Sequence, residues 1–252
     1  MNLALRNRLA EWLLEALDSA AAEAPIRALA AFARTCDTRG VARDLDPESS
    51  DALASGGDFF ERDGDTLRLK PELSPDLPAV RWRAERFAAA TREAAARCGR
   101  SSRPLPTKSA VIAERLRGRT PAPPPADEIE RALCLAAVLF DVELFFEVHE
   151  ILEAVWQRAA EPLRTFLQGL IQVAVGYHHR TNGNLRGARS LLAEGNRKLA
   201  PYGPEMLGVD LSALSTEVEA AIAELDDLAG GLRTGSLRPP PGLWRTALRT
   251  AM

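Results

Sequence analysis

Cysteine and histidine are both scarce in this chain, three of each in 252 residues, and the scarcity narrows the chemistry. Cys36, Cys98 and Cys134 stand far apart and form no CxxC pair, which excludes a zinc-finger layout. Their odd number and wide spacing fit reduced thiols in a reducing compartment. No stretch approaches the ~20 apolar residues of a membrane span. Arg6, Arg8 and Glu11 interrupt the start of the chain, so no apolar signal region is expected there. Gly-rich phosphate loops, paired catalytic carboxylates and serine-hydrolase motifs are also missing, which argues against nucleotide and glycoside chemistry. A cytoplasmic protein with no membrane partner is the expectation.

Charge of one sign is missing locally rather than globally. Residues 1 to 75 carry 9 Lys/Arg against 14 Asp/Glu, 76 to 120 carry 11 against 4, 121 to 230 carry 8 against 17, and 231 to 252 carry 4 against none. A basic stretch therefore joins two acidic parts. It ends in Thr120-Pro121-Ala122-Pro123-Pro124-Pro125-Ala126, which reads as a polyproline-like linker. Three segments follow from this: 1–75, a small module; 76–126, a basic helix and Pro-rich linker; and 127–252, a helical domain large enough for its own core.

All three histidines fall between 149 and 179, and the first opens His149-Glu150-Ile151-Leu152-Glu153-Ala154-Val155-Trp156. Positions i and i+4 share a helix face. With about 100° per residue and Phe145 as zero, Val148, Leu152, Val155 and Trp156 fall within roughly 80° of it. His149 lies inside that arc and Glu153 at its edge, whereas Glu143, Glu147 and Glu150 collect on the far side as a solvated face. Burying an imidazole and a carboxylate costs several kcal/mol unless each finds a partner. The pair reads either as a structural hydrogen bond or as a ligand-binding or catalytic site, with His149 and Glu153 in the catalytic roles.

The next periodic stretch, 161 to 180, starts with Glu161-Pro162, an acidic first turn with proline near its start. Phe166, Leu170, Val173 and Tyr177 mark one face, and Gln168, Gln172 and His179 another. An antiparallel hairpin centred near residue 160 would set His149 level with Gln172 and Glu153 level with Gln168. His179 would then lie level with Asp141, about seven residues or ~10 Å along the axis from His149. That distance argues against one metal site holding both histidines, and Glu153 stands where the second histidine of a His-Glu-x-x-His zinc signature would be. The expectation is a ligand cluster of His149, Glu153, Gln168 and Gln172 without a metal, any metal falling to His149 and Glu153. Asp141 with His179 forms a second pair, and Trp156 is a core anchor or a stacking platform.

These residues carry a resemblance. His149, Glu153 and Trp156 match the HxxxExxW motif of the bacterial and archaeal family called domain of unknown function 309. Phe145-Phe146-Glu147-Val148-His149-Glu150 is similar to its F-(Y/F)-E-x-H-E opening. Leu167-Gln168-Gly169-Leu170-Ile171-Gln172, His179, Gly183-Asn184 and Gly187-Ala188 resemble its second and third helices, and Gly208-Val209-Asp210 with Leu214 its closing segment. The resemblance spans about residues 127 to 245. It implies a compact all-α domain whose motif has been suspected of functional importance, and it brings no established activity.

Within that region Ile129, Leu133 and Ala136 to Leu139 predict a preceding helix, and Asn184 is expected to cap a helix over Leu185 to Leu199. Gly187 and Ala188 suit close helix approach. A last helix is expected over Leu211 to Leu228, with Gly230-Gly231 beyond its end.

The N-terminal segment has a different pattern. Leu9, Trp12, Leu13 and Leu17 predict one helix, and Ile26, Leu29, Ala30 and Phe32 a second. Gly40 to Leu45 reads as a short helix, Asp46-Pro47-Glu48 as a turn and Ser49 to Ala54 as another short helix. Phe59 to Arg62 and Thr66 to Lys70 form a hairpin about Asp63-Gly64-Asp65. Over residues 25 to 73 this order resembles a winged helix. The segment that would enter a DNA groove, Ser49 to Ala54, has no Lys, Arg, Asn or Gln to read bases, so nucleic-acid binding is expected to be weak and non-specific at most. A protein partner suits the module equally well. The arginines at 81, 83, 86, 92 and 97 read as a solvated helix face opposite Trp82 and Phe87.

The fold expected is mainly α, a C-terminal all-α helical bundle behind a small winged-helix-like α+β module. Two functions compete. One is a domain binding a small-molecule ligand at the buried His/Glu/Gln cluster, with hydrolytic chemistry in which Glu153 or His149 acts as base. The other is a non-enzymatic adaptor or DNA-associated protein in which the cluster only holds helices in register. No nucleophilic serine or cysteine stands near His149, and the sequence names no cofactor.

Overall fold

A computed structural model of the chain describes residues 1–99 and 104–230, in two compact units, Met1–Pro104 and Leu105–Met252. The basic tail from 231 on, Gly231 included, and the end of the family resemblance near 245 lie outside the described residues. The architecture is mainly α. Among the described residues no helix is long and apolar enough to cross a membrane.

The first unit runs α1 (Leu3–Asp18), α2 (Ala24–Thr35), β1 (Val41–Ala42), α3 (Pro47–Ser55), β2 (Phe60–Asp63), β3 (Thr66–Leu69) and α4 (Leu77–Arg97). The Asn2 side chain accepts from the Ala4 and Leu5 amides, satisfying N–H groups that α1 leaves without carbonyl partners. Asp46 does the same for α3 by accepting from Ser49, with Pro47 in its first turn. The antiparallel sheet has the order β1-β3-β2. Its hairpin turns through Gly64, whose φ of 58° suits glycine. Leu9, Leu13, Leu29, Phe32, Leu53, Leu67 and Phe87 are fully buried, and Phe32 meets Phe60 edge-on at 5.1 Å.

Two expectations for this unit are corrected. The short helix expected over Gly40 to Leu45 contains β1 instead, with Val41 paired to Arg68 and Ala42 to Leu67. Gly40, at φ 75°, turns the chain into that strand, and the pairing is a non-local contact that local periodicity does not report. On α4, the arginine face is not simply solvated. Arg83 is buried, Arg81 donates to the Asp37 carbonyl at 2.9 Å, and it is Trp82 that is exposed, with the Arg86 guanidinium 4.1 Å from its ring centre.

The second unit runs α5 (Lys108–Leu116), α6 (Ala126–Asp141), α7 (Phe145–Trp156), α8 (Leu163–Thr181), α9 (Leu185–Leu199), a two-stranded ladder of β4 (Glu205–Met206) and β5 (Val209–Asp210), and α10 (Leu211–Ala229). The turn from α6 to α7 takes three residues. Glu143, in the left-handed region at φ 62°, donates to the Phe140 carbonyl and Leu144 donates to that of Leu139, the two bonds of a Schellman cap. Gly183 at φ 76° and Asn184 close α8 in the same way, onto Arg180 and His179. Asn184 also caps α9 by accepting from the Gly187 amide.

α8 is the central helix, packed against both α7 and α9. Phe140, Phe145 and Tyr177 form one aromatic cluster with ring centres 4.9 to 5.5 Å apart. Against α9 the approach is closer. A Cβ on Gly195 would stand 2.8 Å from the Gly169 carbonyl oxygen, and one on Gly176 would stand 2.8 Å from Leu192. The residues that permit this contact are thus Gly169, Gly176 and Gly195, where Gly187 was expected. Gly187 lies under its own cap, Asn184, whereas Ala188 is fully buried as its small size allows.

Cys36 is a free, buried thiol. The expectation of three reduced thiols is met at Cys36 alone among the described cysteines.

Candidate functional site

α7 positions the motif. Phe145, Val148, Leu152 and Val155 form its fully buried stripe, and His149 and Glu153 occupy the flank of that stripe, half-buried. One helical turn apart, they meet: His149 Nε2 lies 2.9 Å from Glu153 Oε2. The other ring nitrogen is also engaged, with Nδ1 3.1 Å from Glu150 Oε1. The imidazole is therefore bracketed by two carboxylates.

A fourth polar group comes from α5. Thr107 caps that helix by accepting from the Ala110 amide, and the first residue after the cap, Lys108, reaches α7. Its Nζ lies 2.6 Å from Glu153 Oε2 and 3.7 Å from Glu150 Oε1. Partial burial pulls the ammonium pKa down, but the hydrogen bond to Glu153 and the charge of Glu150 outweigh it and hold Lys108 above the ordinary lysine range. Farther along α5, Arg115 bonds the Gln157 carbonyl at the end of α7, so the short helix is fastened to α7 at both ends.

The side chains of His149, Glu150, Glu153 and Lys108 keep 22, 21, 19 and 28 % of their surface exposed. That is enough for a ligand to touch them, and too little for full hydration. The patch is neither a closed core nor a solvated face. Glu147, expected on the solvated side with Glu143 and Glu150, is fully buried and partnered. The helical wheel assigns a face to solvent only where nothing packs on it, and α7 is covered by α5 and α6 as well as by α8.

The other expected site residues are distributed differently. The Gln172 amide bonds Glu194 of α9. The Lys198 ammonium, 2.7 Å away, and then Gln172 hold the Glu194 carboxyl below the usual carboxylate range. Gln168 is half-buried one turn earlier on α8, and Asp141 is half-buried at the end of α6. His179 Nδ1 lies 3.0 Å from Asn184 Nδ2, at the α8 cap. Trp156 stacks under Arg164, whose guanidinium lies 4.1 Å from the ring centre and also donates to the Trp156 carbonyl. The indole Nε1 is buried without a hydrogen-bond partner.

Three contributors were not singled out from the sequence. Lys108 falls in the stretch that its charge and prolines mark as a basic linker, although Val111, Ile112 and Leu116 give that stretch a helical period. Glu150 was assigned to the solvated face. His178, rather than His179, lies beside the motif helix: the Phe146 ring is 5.9 Å from His178 and 6.1 Å from His149.

Residues 133–191 match the sequence model of a family described as a domain of unknown function, DUF309. The matched segment holds α7 and α8 whole, with His149, Glu153 and Trp156, and leaves out α5 with Lys108. No curated protein matches the chain.

Proposed function

We propose that the helical unit binds a small polar ligand at the patch of His149, Glu150, Glu153 and Lys108, with His149 as its proton-transfer group. The observation that carries this reading is the bracketing of one imidazole by two carboxylates, all three still open to solvent by about a fifth. An imidazole whose nitrogens both face acceptors passes a proton between them with little rearrangement, which is what general acid–base work requires. Hydrolysis at this patch would use water as the nucleophile, activated by His149 or Glu153, since no serine or cysteine lies on α7 or α8.

The test is native mass spectrometry of freshly purified protein, with thermal denaturation alongside. On this reading a small molecule travels with the wild type and is lost from His149→Ala, while the melting temperature falls by only a few degrees. A variant that loses several kcal/mol of stability, from a wild type that carries nothing, would assign the patch a purely structural role. The structural alternative has its own support in Lys108, which ties α5 to α7 through the same carboxylate.

For the first unit we propose a winged-helix-like module that meets a protein partner. The cations of its hairpin are already neutralised inside the unit: Arg62 pairs with Asp51, Arg68 with Glu61 and Lys70 with Asp58. A surface prepared for phosphates would leave them available.

A further inference from the structure

Resting on the ligand-binding reading and naming its ligand class, with His149 then a ligand and Glu153 or a bound water left for proton transfer, we infer that His149, Glu150 and Glu153 form a site for one divalent transition-metal cation, with the Lys108 ammonium as a tethered competitor that holds the position when metal is away. One ligand atom from each of the three residues lies within 4.8 Å of the other two. Around a zinc ion with ligands at about 2.0–2.2 Å, neighbouring donor atoms stand roughly 3–4 Å apart, so rotamer adjustments close the site without moving the helix. Two further observations point to a cation.

The first is the histidine. In its neutral form the imidazole carries one proton, and one ring nitrogen then presents a lone pair to a carboxylate oxygen about 3 Å away. A cation between them turns that repulsion into two coordination bonds. The second is Lys108. Its positive charge arrives from a different helix and sits over both carboxylates, 2.6 Å from one and 3.7 Å from the other. The patch thus already stabilises a cation where a metal would bind.

His179 takes no part in this site, its Nδ1 lying 3.0 Å from Asn184 Nδ2 at the α8 cap. The donor set of one imidazole and two carboxylates has no thiolate, which favours Zn²⁺ or Mn²⁺ over softer ions. Three protein ligands leave coordination positions for water, the arrangement of catalytic rather than structural zinc sites. Such a water would supply the nucleophile that no side chain around His149 offers.

Calorimetric titration of the full chain with ZnCl₂ and with MnCl₂ tests the inference, using wild type, Lys108→Met, His149→Ala and Glu153→Gln, each checked by thermal melting. Lys108→Met is expected to bind one metal per chain at least ~10-fold more tightly than wild type, and both ligand variants at least ~10-fold more weakly. Should His149→Ala fail to fold, the isosteric Glu153→Gln carries the comparison. No saturable binding by wild type or Lys108→Met, equal affinity of those two, or binding undiminished in the ligand variants overturns the inference. A wild type that carries an organic molecule by mass spectrometry yet binds no metal in either form overturns it too, and leaves the ligand-binding reading standing.

Discussion

Arg180 and Glu224 meet at 3.0 Å with 4 and 3 % of their side chains exposed, joining α8 to α10 inside the helical unit. Two desolvated charges at that depth depend on each other. Removing one takes this close partner from a charge that is itself buried, at a cost of about 3–5 kcal/mol. Glu224→Ala is therefore expected to lower the unfolding free energy by that amount, read in urea as a lower midpoint at an unchanged slope. Lys108 works at a smaller scale and at higher pH. Its pKa is raised above the free-lysine value of 10.5 by the Glu153 hydrogen bond and the Glu150 charge against the opposing effect of burial. A raised folded-state pKa means that its contribution is complete below the unfolded-state value and disappears as pH climbs through the folded-state one. The melting temperature of Lys108→Met should accordingly fall below that of the wild type at pH 8 and converge with it above the lysine range. A gap that is the same at pH 8 and well above the folded-state value would show that the aliphatic stem, not the charge, ties α5 down.

Elements in the helical unit are held by backbone approach as much as by side chains, and glycine marks where. Gly195→Ala places a methyl group 2.8 Å from the Gly169 carbonyl oxygen, a main-chain atom that cannot rotate aside. α8 and α9 must then separate, and the loss should sit near the upper end of the ~1–3 kcal/mol typical of overpacking. Gly183→Ala meets no atom within 4 Å, so its cost is that of holding alanine at φ 76°, about 1–2 kcal/mol. Gly183→Asn should recover part of that loss, and urea denaturation of the three variants ranks them. The same scale separates what was legible in the sequence from what was not. α7, α8 and α9 were readable because buried residues recur at helical spacing and Asn184 caps the last of them. The contact of His149 with Glu153 was readable because it is local to one helix. Everything that depended on a second element was not. β1 exists because β3 pairs with it, Gln172 turns to Glu194 because α9 lies closer than the α7–α8 hairpin alone implies, and Lys108 matters only once α5 lies on α7.

At the scale of the whole molecule the charge distribution decides what the chain will attract. Residues 76 to 120 hold 11 Lys/Arg against 4 Asp/Glu, the one strongly basic internal stretch in a chain of net charge −3. Several of those cations are committed, however: Arg81 to backbone carbonyls, Arg83 to a buried position and Lys108 to the carboxylates of α7. The hairpin arginines and lysine are paired within their unit as well, and α3 carries no Lys, Arg, Asn or Gln to read a base edge. The cations that remain can meet phosphates but read no bases, so any DNA association rests on counterion release and weakens as salt rises. Fluorescence anisotropy of the full chain with short duplexes should give weak association at low salt, the same for unrelated sequences, and none by roughly 150–200 mM salt. Selective binding that persists at that ionic strength would mean that the hairpin ion pairs open on contact with DNA. The double variant Asp51→Ala, Asp58→Ala distinguishes the two cases, because freeing Arg62 and Lys70 should strengthen association and steepen its salt dependence only if these pairs are what keeps phosphates away.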